Sequence, residues 1–142
     1  MAFQLPDPAT PLGKRVAERL RNDQFIWLTT VDAGGTPQPT LVWFLWDAAT
    51  ATILIYSRSD AKRLAHLRQH QRVALHFDGD GEGDDVIVFT GTGVFSADDP
   101  PADQTAPYLE KYRESIISPP KFAATFSVPL RVHPLSIRGY MG

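Results

Sequence analysis

The sequence predicts a mainly β fold: six antiparallel strands in a closed or nearly closed barrel, flanked by helices. Three observations carry this. Six segments are dense in β-branched and aromatic residues. Short Gly- and Asp-containing turns join several of them, which favours hairpins over parallel crossovers. The hydrophobic period shifts to that of a helix in only three places.

Taken in order, Thr10-Pro11 suits an N-cap followed by proline at the first helical position. A helix should run to about Arg21, with Val16 and Leu20 inward and Lys14, Arg15, Glu18 and Arg19 mostly outward. Phe25 to Val31 reads as the first strand, and Asp32 to Thr36 as a turn. The second strand is expected over Pro39–Trp46 and the third over Thr52–Ser57, together a meander of consecutive hairpins. In the second strand Trp43 and Phe44 should point to opposite faces.

Ser59 or Asp60 can cap a helix that carries Leu64 and Leu67 on one face. Arg72 to Asp78 alternates as a strand with Val73, Leu75 and Phe77 on one side, and an acidic, mobile loop follows over 79–85. The strand over 85–95 contains Gly91 and Gly93, which suggest a bulge or a close backbone approach. A helix is expected over about Asp103–Ser115, with Lys111 on its solvated side, and Pro119-Pro120 should break the chain. Leu130 to Tyr140 is the last strand.

A chain of 142 residues fits one domain, here a loose arm over 1–9 and a barrel domain over 10–142. It has no cysteine, which excludes disulfides, zinc-thiolate sites and cysteine nucleophiles. The N-terminus lacks the basic start and apolar run of a signal peptide, and no stretch approaches the roughly 18 apolar residues of a membrane helix. A cytoplasmic address and no membrane partner are therefore expected. The net charge of −2 argues against a nucleic-acid partner. Yet Arg58, Lys62, Arg63, Arg68 and Arg72, five of the fourteen cations, fall within fifteen residues.

Tyr56 to Arg63 runs from a strand end into a helix start, with two hydroxyls, unpaired backbone N–H groups and three cations. Such a start is a natural phosphate site, and it equally suits a solvated, capped helix. His66 and His70 are four apart, as two metal ligands would be, but no HExxH Glu or third ligand accompanies them, so no metal is expected. The acidic loop lacks EF-hand spacing. There is no GxSxG, P-loop or GxGxxG, and no catalytic residue stands out, so the chemistry of an enzyme with this sequence would belong to a cofactor.

Together these segments resemble the pyridoxamine-phosphate-oxidase-like split β-barrel family, and within it the deazaflavin-dependent oxidoreductases that use coenzyme F420. The resemblance lies in Phe25–Val31, in Gly35 to Asp47, in Ile55-Tyr56-Ser57 with Ala61-Lys62-Arg63-Leu64, and in Arg72 to Leu75. It covers roughly residues 12 to 138 and implies a homodimer with cofactors at the subunit interface. It places the backbone of Pro39, Thr40, Leu41 and Val42 along a tricyclic ring. Tyr56 and Ser57 would close the site, Ala61 would stand at the helix start, and Lys62 with Arg58 or Arg63 would hold phosphate. The implied activity is hydride transfer between a reduced deazaflavin and a small organic substrate, with FMN as the alternative cofactor. An FMN or haem carrier without turnover is the second reading, and an interaction module with an empty barrel is the third.

Overall fold

The computed structural model describes residues 3–141; Met1 and Ala2 of the expected arm, and Gly142, lie outside the described residues. Among the described residues there are four α-helices: α1 (Pro11–Asn22), α2 (Lys62–Gln69), α3 (Ala106–Lys111) and α4 (Pro119–Thr125). Seven strands form one curled antiparallel sheet: β1 (Phe25–Val31), β2 (Pro37–Trp43), β3 (Leu45–Asp47), β4 (Thr52–Ser57), β5 (Arg72–His76), β6 (Val86–Phe95) and β7 (Val128–Tyr140). Their order is β2-β1-β5-β6-β7-β4-β3, with helices against the curled sheet in the manner of a split barrel.

The count is seven because the strand expected over 39–46 breaks at Phe44. Its two pieces lie at opposite edges of the sheet, so a single residue joins the edges and curls the sheet on itself. The expected meander is therefore two separate hairpins, β1–β2 and β3–β4, with β4 also pairing β7. The ladder hydrogen bonds lost at the break are replaced from the second half of the chain. Tyr112 Oη accepts from Phe44 N–H at 2.8 Å, and Lys111 Nζ donates to Phe44 O at 2.9 Å. Lys111 also lies 3.6 Å from the Phe44 ring centroid, and burial pushes its amine down to about 8. It is a half-buried clamp and not a solvated lysine.

Phe44 and Trp43 do face opposite ways. Phe44 joins the barrel core of Val16, Leu20, Ile26, Leu28, Ile53, Leu75 and Phe89, and Trp43 packs on a second cluster of Leu54, Tyr56, Tyr108 and Tyr112 under α3 and α4. Every residue of β4 is buried because it feeds both clusters.

Thr10 caps α1, its hydroxyl accepting from Gly13 N–H. A Cβ on Gly13 would meet Asp7 O at 1.9 Å, so only glycine lets the preceding chain fold onto the helix. Phe3 and Leu5 of that segment pack against the core. Arg19, expected outward, is 8% exposed; it donates to Asp78 O and pairs with Asp23 and Asp85. Arg15 also grips Asp85, so the acidic loop is anchored at both ends to α1. A register shift falls between Thr90 and Gly91, where a Cβ on Gly91 would lie 2.3 Å from His133 O.

Two sequence expectations fail in the second half. The helix expected over 103–115 is a 3-10 turn over Ala102–Gln104 followed by the short α3. Pro119 and Pro120 start α4 instead of breaking the chain, since neither of the first two helical positions needs its N–H and Ser118 caps them.

Part-buried ion pairs make the fold acid-sensitive. Hydrogen bonds from Arg131 hold the Asp47 and Asp99 carboxyls below their usual range, and Arg15 does the same for Asp85. Carboxylates with depressed folded-state values contribute stability that is fully present above about pH 4 and is lost as pH falls through those values. Melting temperature should hold from pH 7 to 5 and fall steeply below 4, and Arg131→Met should flatten that fall. A melting temperature constant down to pH 2.5 would contradict it.

Candidate functional site

Two clefts flank β2. The first, about 380 Å³, is polar and is bordered by Thr30, Asp32, Gln38, Pro39, Thr40, Ala61, Lys62, Arg63 and His66. Its far wall is α2, whose Leu64 and Leu67 are buried in the core. That leaves Lys62 and His66, one turn apart, on the cleft side. The helix cap is Ala61, without a side-chain bond; Asp60 pairs with Arg58 instead of capping. His66 Nδ1 lies 2.8 Å from Thr30 Oγ1. The one acid, Asp32, is occupied by its own turn, and bonds from Gln38, Thr36 and Gly34 lower its pKa.

The second cleft, about 320 Å³, is aromatic and is bordered by Phe25, Leu41, Val42, Trp43, Tyr56, Arg63, Tyr108, Phe122 and Phe126. Trp43 stacks on Tyr112 at 4.4 Å and on Phe122 at 5.5 Å, and Phe122 stacks on Phe126 at 4.6 Å. Stacked, half-buried rings make a wall suited to a flat conjugated partner.

Arg63 is the residue common to both clefts. Its Nη1 donates to Ser57 Oγ at 2.5 Å, its Nε is buried without a partner, and burial lowers its pKa. Among the described residues no carboxylate pairs with it. A desolvated guanidinium without a counter-ion is poised for an anion.

Eight of the ten site residues expected from the sequence border these clefts: Pro39, Thr40, Ala61 and Lys62 the polar one, Leu41, Val42 and Tyr56 the aromatic one, and Arg63 both. Ser57 borders neither and orients Arg63 from behind. Arg58 also borders neither: it is exposed and paired with Asp60 at 3.0 Å. Tyr56 offers its ring alone, since its hydroxyl binds Pro100 O and Thr105. Sequence reasoning missed the wall made by Tyr108, Phe122 and Phe126, and the contribution of Thr30 and His66. The i, i+4 spacing of Lys62 and His66 was the available signal for the histidine. Among the described residues no three His, Asp or Glu side chains are placed to hold a metal, and no helix is long and apolar enough to cross a membrane.

The sequence signature of the pyridoxamine 5'-phosphate oxidase family matches residues 12–133. No curated protein matches the sequence significantly. Among solved structures, a conserved hypothetical protein of Mycobacterium tuberculosis is similar at 18% identity and a TM-score of 0.73, covering 98% of this chain and 90% of that one. An F420 reductase is similar at 21% identity and a TM-score of 0.64, covering 85% and 94%. The haem storage protein HutZ of Vibrio cholerae is similar at 13% identity and a TM-score of 0.65, covering 89% and 93%. At these identities the likeness is one of fold.

Proposed function

The chain belongs to the pyridoxamine 5'-phosphate oxidase family, and from that premise we propose that it is an oxidoreductase using coenzyme F420, with FMN as the alternative cofactor. One observation carries the proposal: a cationic cleft and an aromatic cleft meet at Arg63, a half-buried guanidinium with no acidic partner. A cofactor with a flat ring and a phosphorylated tail has that division of chemistry. Lys62, Arg63 and His66 would hold the phosphate side, and Leu41, Val42 and Trp43 the ring. When bound, the deazaflavin supplies hydride transfer to a small organic substrate. The chain's own part is to exclude water with Trp43, Phe122 and Phe126 and to fix the ring against β2. The choice of deazaflavin over FMN rests on the segments of family resemblance, together with the likeness in fold to an F420 reductase.

A haem carrier without turnover is the second reading, and the haem storage protein HutZ is similar in fold. Among the described residues, no histidine borders the aromatic cleft to ligate an iron there, which favours the flavin-type reading. A homodimer accompanies it. Phe25 and Leu41 are 47% and 43% exposed on the outer face of β1 and β2, and β2 is an edge strand that a second copy would cover. Light scattering should give twice the chain's 15.8 kDa; a monomer at micromolar concentration would contradict it.

Fluorescence titration with oxidised F420 and with FMN tests the cofactor, with haem followed by its Soret band. F420 should bind most tightly. A clear preference for FMN overturns the deazaflavin choice, and binding of haem alone overturns the oxidoreductase. Lys62→Ala should weaken binding about 10-fold, since one charge-assisted contact is worth about 1.5 kcal/mol or more. Lys14→Ala, on the exposed side of α1, is the control that should leave affinity unchanged.

A further inference from the structure

Among the described residues, α4 is the helix that no polar bond ties to the rest of the fold. Arg15 and Arg19 pin α1 to Asp85 and to Asp78 O. Arg63 and His66 pin α2 to Ser57 and Thr30, and Lys111 and Tyr112 pin the end of α3 to Phe44. Every described hydrogen bond made by residues 117–126 stays within that segment, and none of those residues joins a described ion pair.

Apolar contact alone holds α4 down, and the helix buries none of its residues. Phe122 stacks on Trp43 at 5.5 Å and meets Tyr108 at 5.9 Å; Phe126 stacks on Phe122, and Ala123 packs with them. Trp43, Tyr108, Phe122 and Phe126 all border the aromatic cleft. The surface that seats the helix is therefore the surface a flat ligand would use. The chain is firm on either side: Ile116 is buried, and Val128 pairs with Ser57 at the start of β7. Ile117, between Ile116 and the helix, is 98% exposed. The helix itself is preformed, with Ser118 as its cap and Pro119 and Pro120 in its first turn. Segments with few buried contacts are the first to open in a folded protein.

We propose that α4 is a hinged cover on the aromatic cleft, swinging about residues 117 and 127 to lift Phe122 from Trp43, admit a planar ligand and close over it. This rests on the reading that the cleft takes the cofactor ring, and it adds a gate on entry and release.

Hydrogen exchange of the cofactor-free protein reads the opening. The bonded amides of Phe122 and Phe126 should exchange about 100-fold or more faster than those within α1. Equal protection of the two helices overturns the inference. Saturation with oxidised F420, or with FMN if that binds more tightly, should slow exchange in α4 about 10-fold and leave α1 unchanged. A bound probe that leaves α4 exchange unchanged overturns the cover while the proposed function stands. Phe122→Leu loosens the contact with Trp43 but keeps an apolar side chain, so the bound probe should associate about 3-fold faster in stopped-flow mixing. An unchanged or slower association overturns the gate. A parent that binds neither probe overturns both the gate and the proposed function.

Discussion

Arg63→Ala is expected to weaken cofactor binding by about 100-fold or more, the largest loss from any single substitution in the site. The guanidinium touches both clefts and is already oriented by Ser57. Losing a fixed cation with two or more charge-assisted contacts forfeits about 3 kcal/mol or more. Arg63→Lys should recover only part of the affinity, because an ammonium cannot reproduce the fork that binds Ser57 and an anion together. Ser57→Ala leaves the charge but frees its orientation, and a loss of about 5-fold is expected from that missing hydrogen bond. The cofactor-free Arg63→Ala protein should melt no lower than the parent, since a desolvated cation without a counter-ion adds little to stability. Equal binding by parent and Arg63→Ala would remove Arg63 from the site, and a melting temperature lowered by many degrees would make the residue structural.

Tyr112→Phe is expected to lower stability strongly although it removes a single oxygen atom. Tyr112 Oη accepts from Phe44 N–H, and it donates to Gln24 O at 2.6 Å, while Lys111 serves Phe44 O. Phenylalanine would leave the Phe44 N–H buried and unpaired at the point where the sheet's edges meet. The cost should be about 2–3 kcal/mol, a fall of roughly 7–10 °C in melting temperature for a chain of this size. Cofactor affinity at 20 °C should change little, because the ring that stacks on Trp43 is kept. Tyr112→Ala should lose both stability and affinity. A Tyr112→Phe protein as stable as the parent would show that the phenol does not hold the break.

The difference between those residues shows what the sequence made legible. The β1, β4 and β5 strands and α1 follow from local periodicity, and the polar side of the site follows from the strand-to-helix run of Tyr56 to Arg63, which is contiguous in the chain. The aromatic wall is not contiguous. Trp43 meets Tyr112 and Phe122 across roughly seventy residues or more, and nothing local to Tyr108 distinguishes a cleft residue from an ordinary core tyrosine. The break at Phe44 was hidden for a related reason. Its run of apolar residues reads as one strand, and its replacement partners, Lys111 and Tyr112, lie at the C-terminal end of α3, far along the chain. Lys111 and Arg19 look like solvated charges by their spacing, and each is drawn inward by an acceptor supplied from elsewhere: Phe44 O for the lysine, Asp78 O and Asp85 for the arginine. Pro119-Pro120 carries both a stop and a start signal, and the capping Ser118 decides for the start.

One ligand is expected to span both clefts, with its charged tail on α2 and its ring against Trp43. A crystal structure of the protein grown with oxidised F420 would show where that ligand lies. Phosphate density should lie within hydrogen-bond distance of Lys62 and Arg63, and ring density in the aromatic cleft against Leu41, Val42 and Trp43. Cofactor density away from Arg63, or a ring outside the aromatic cleft, would contradict it.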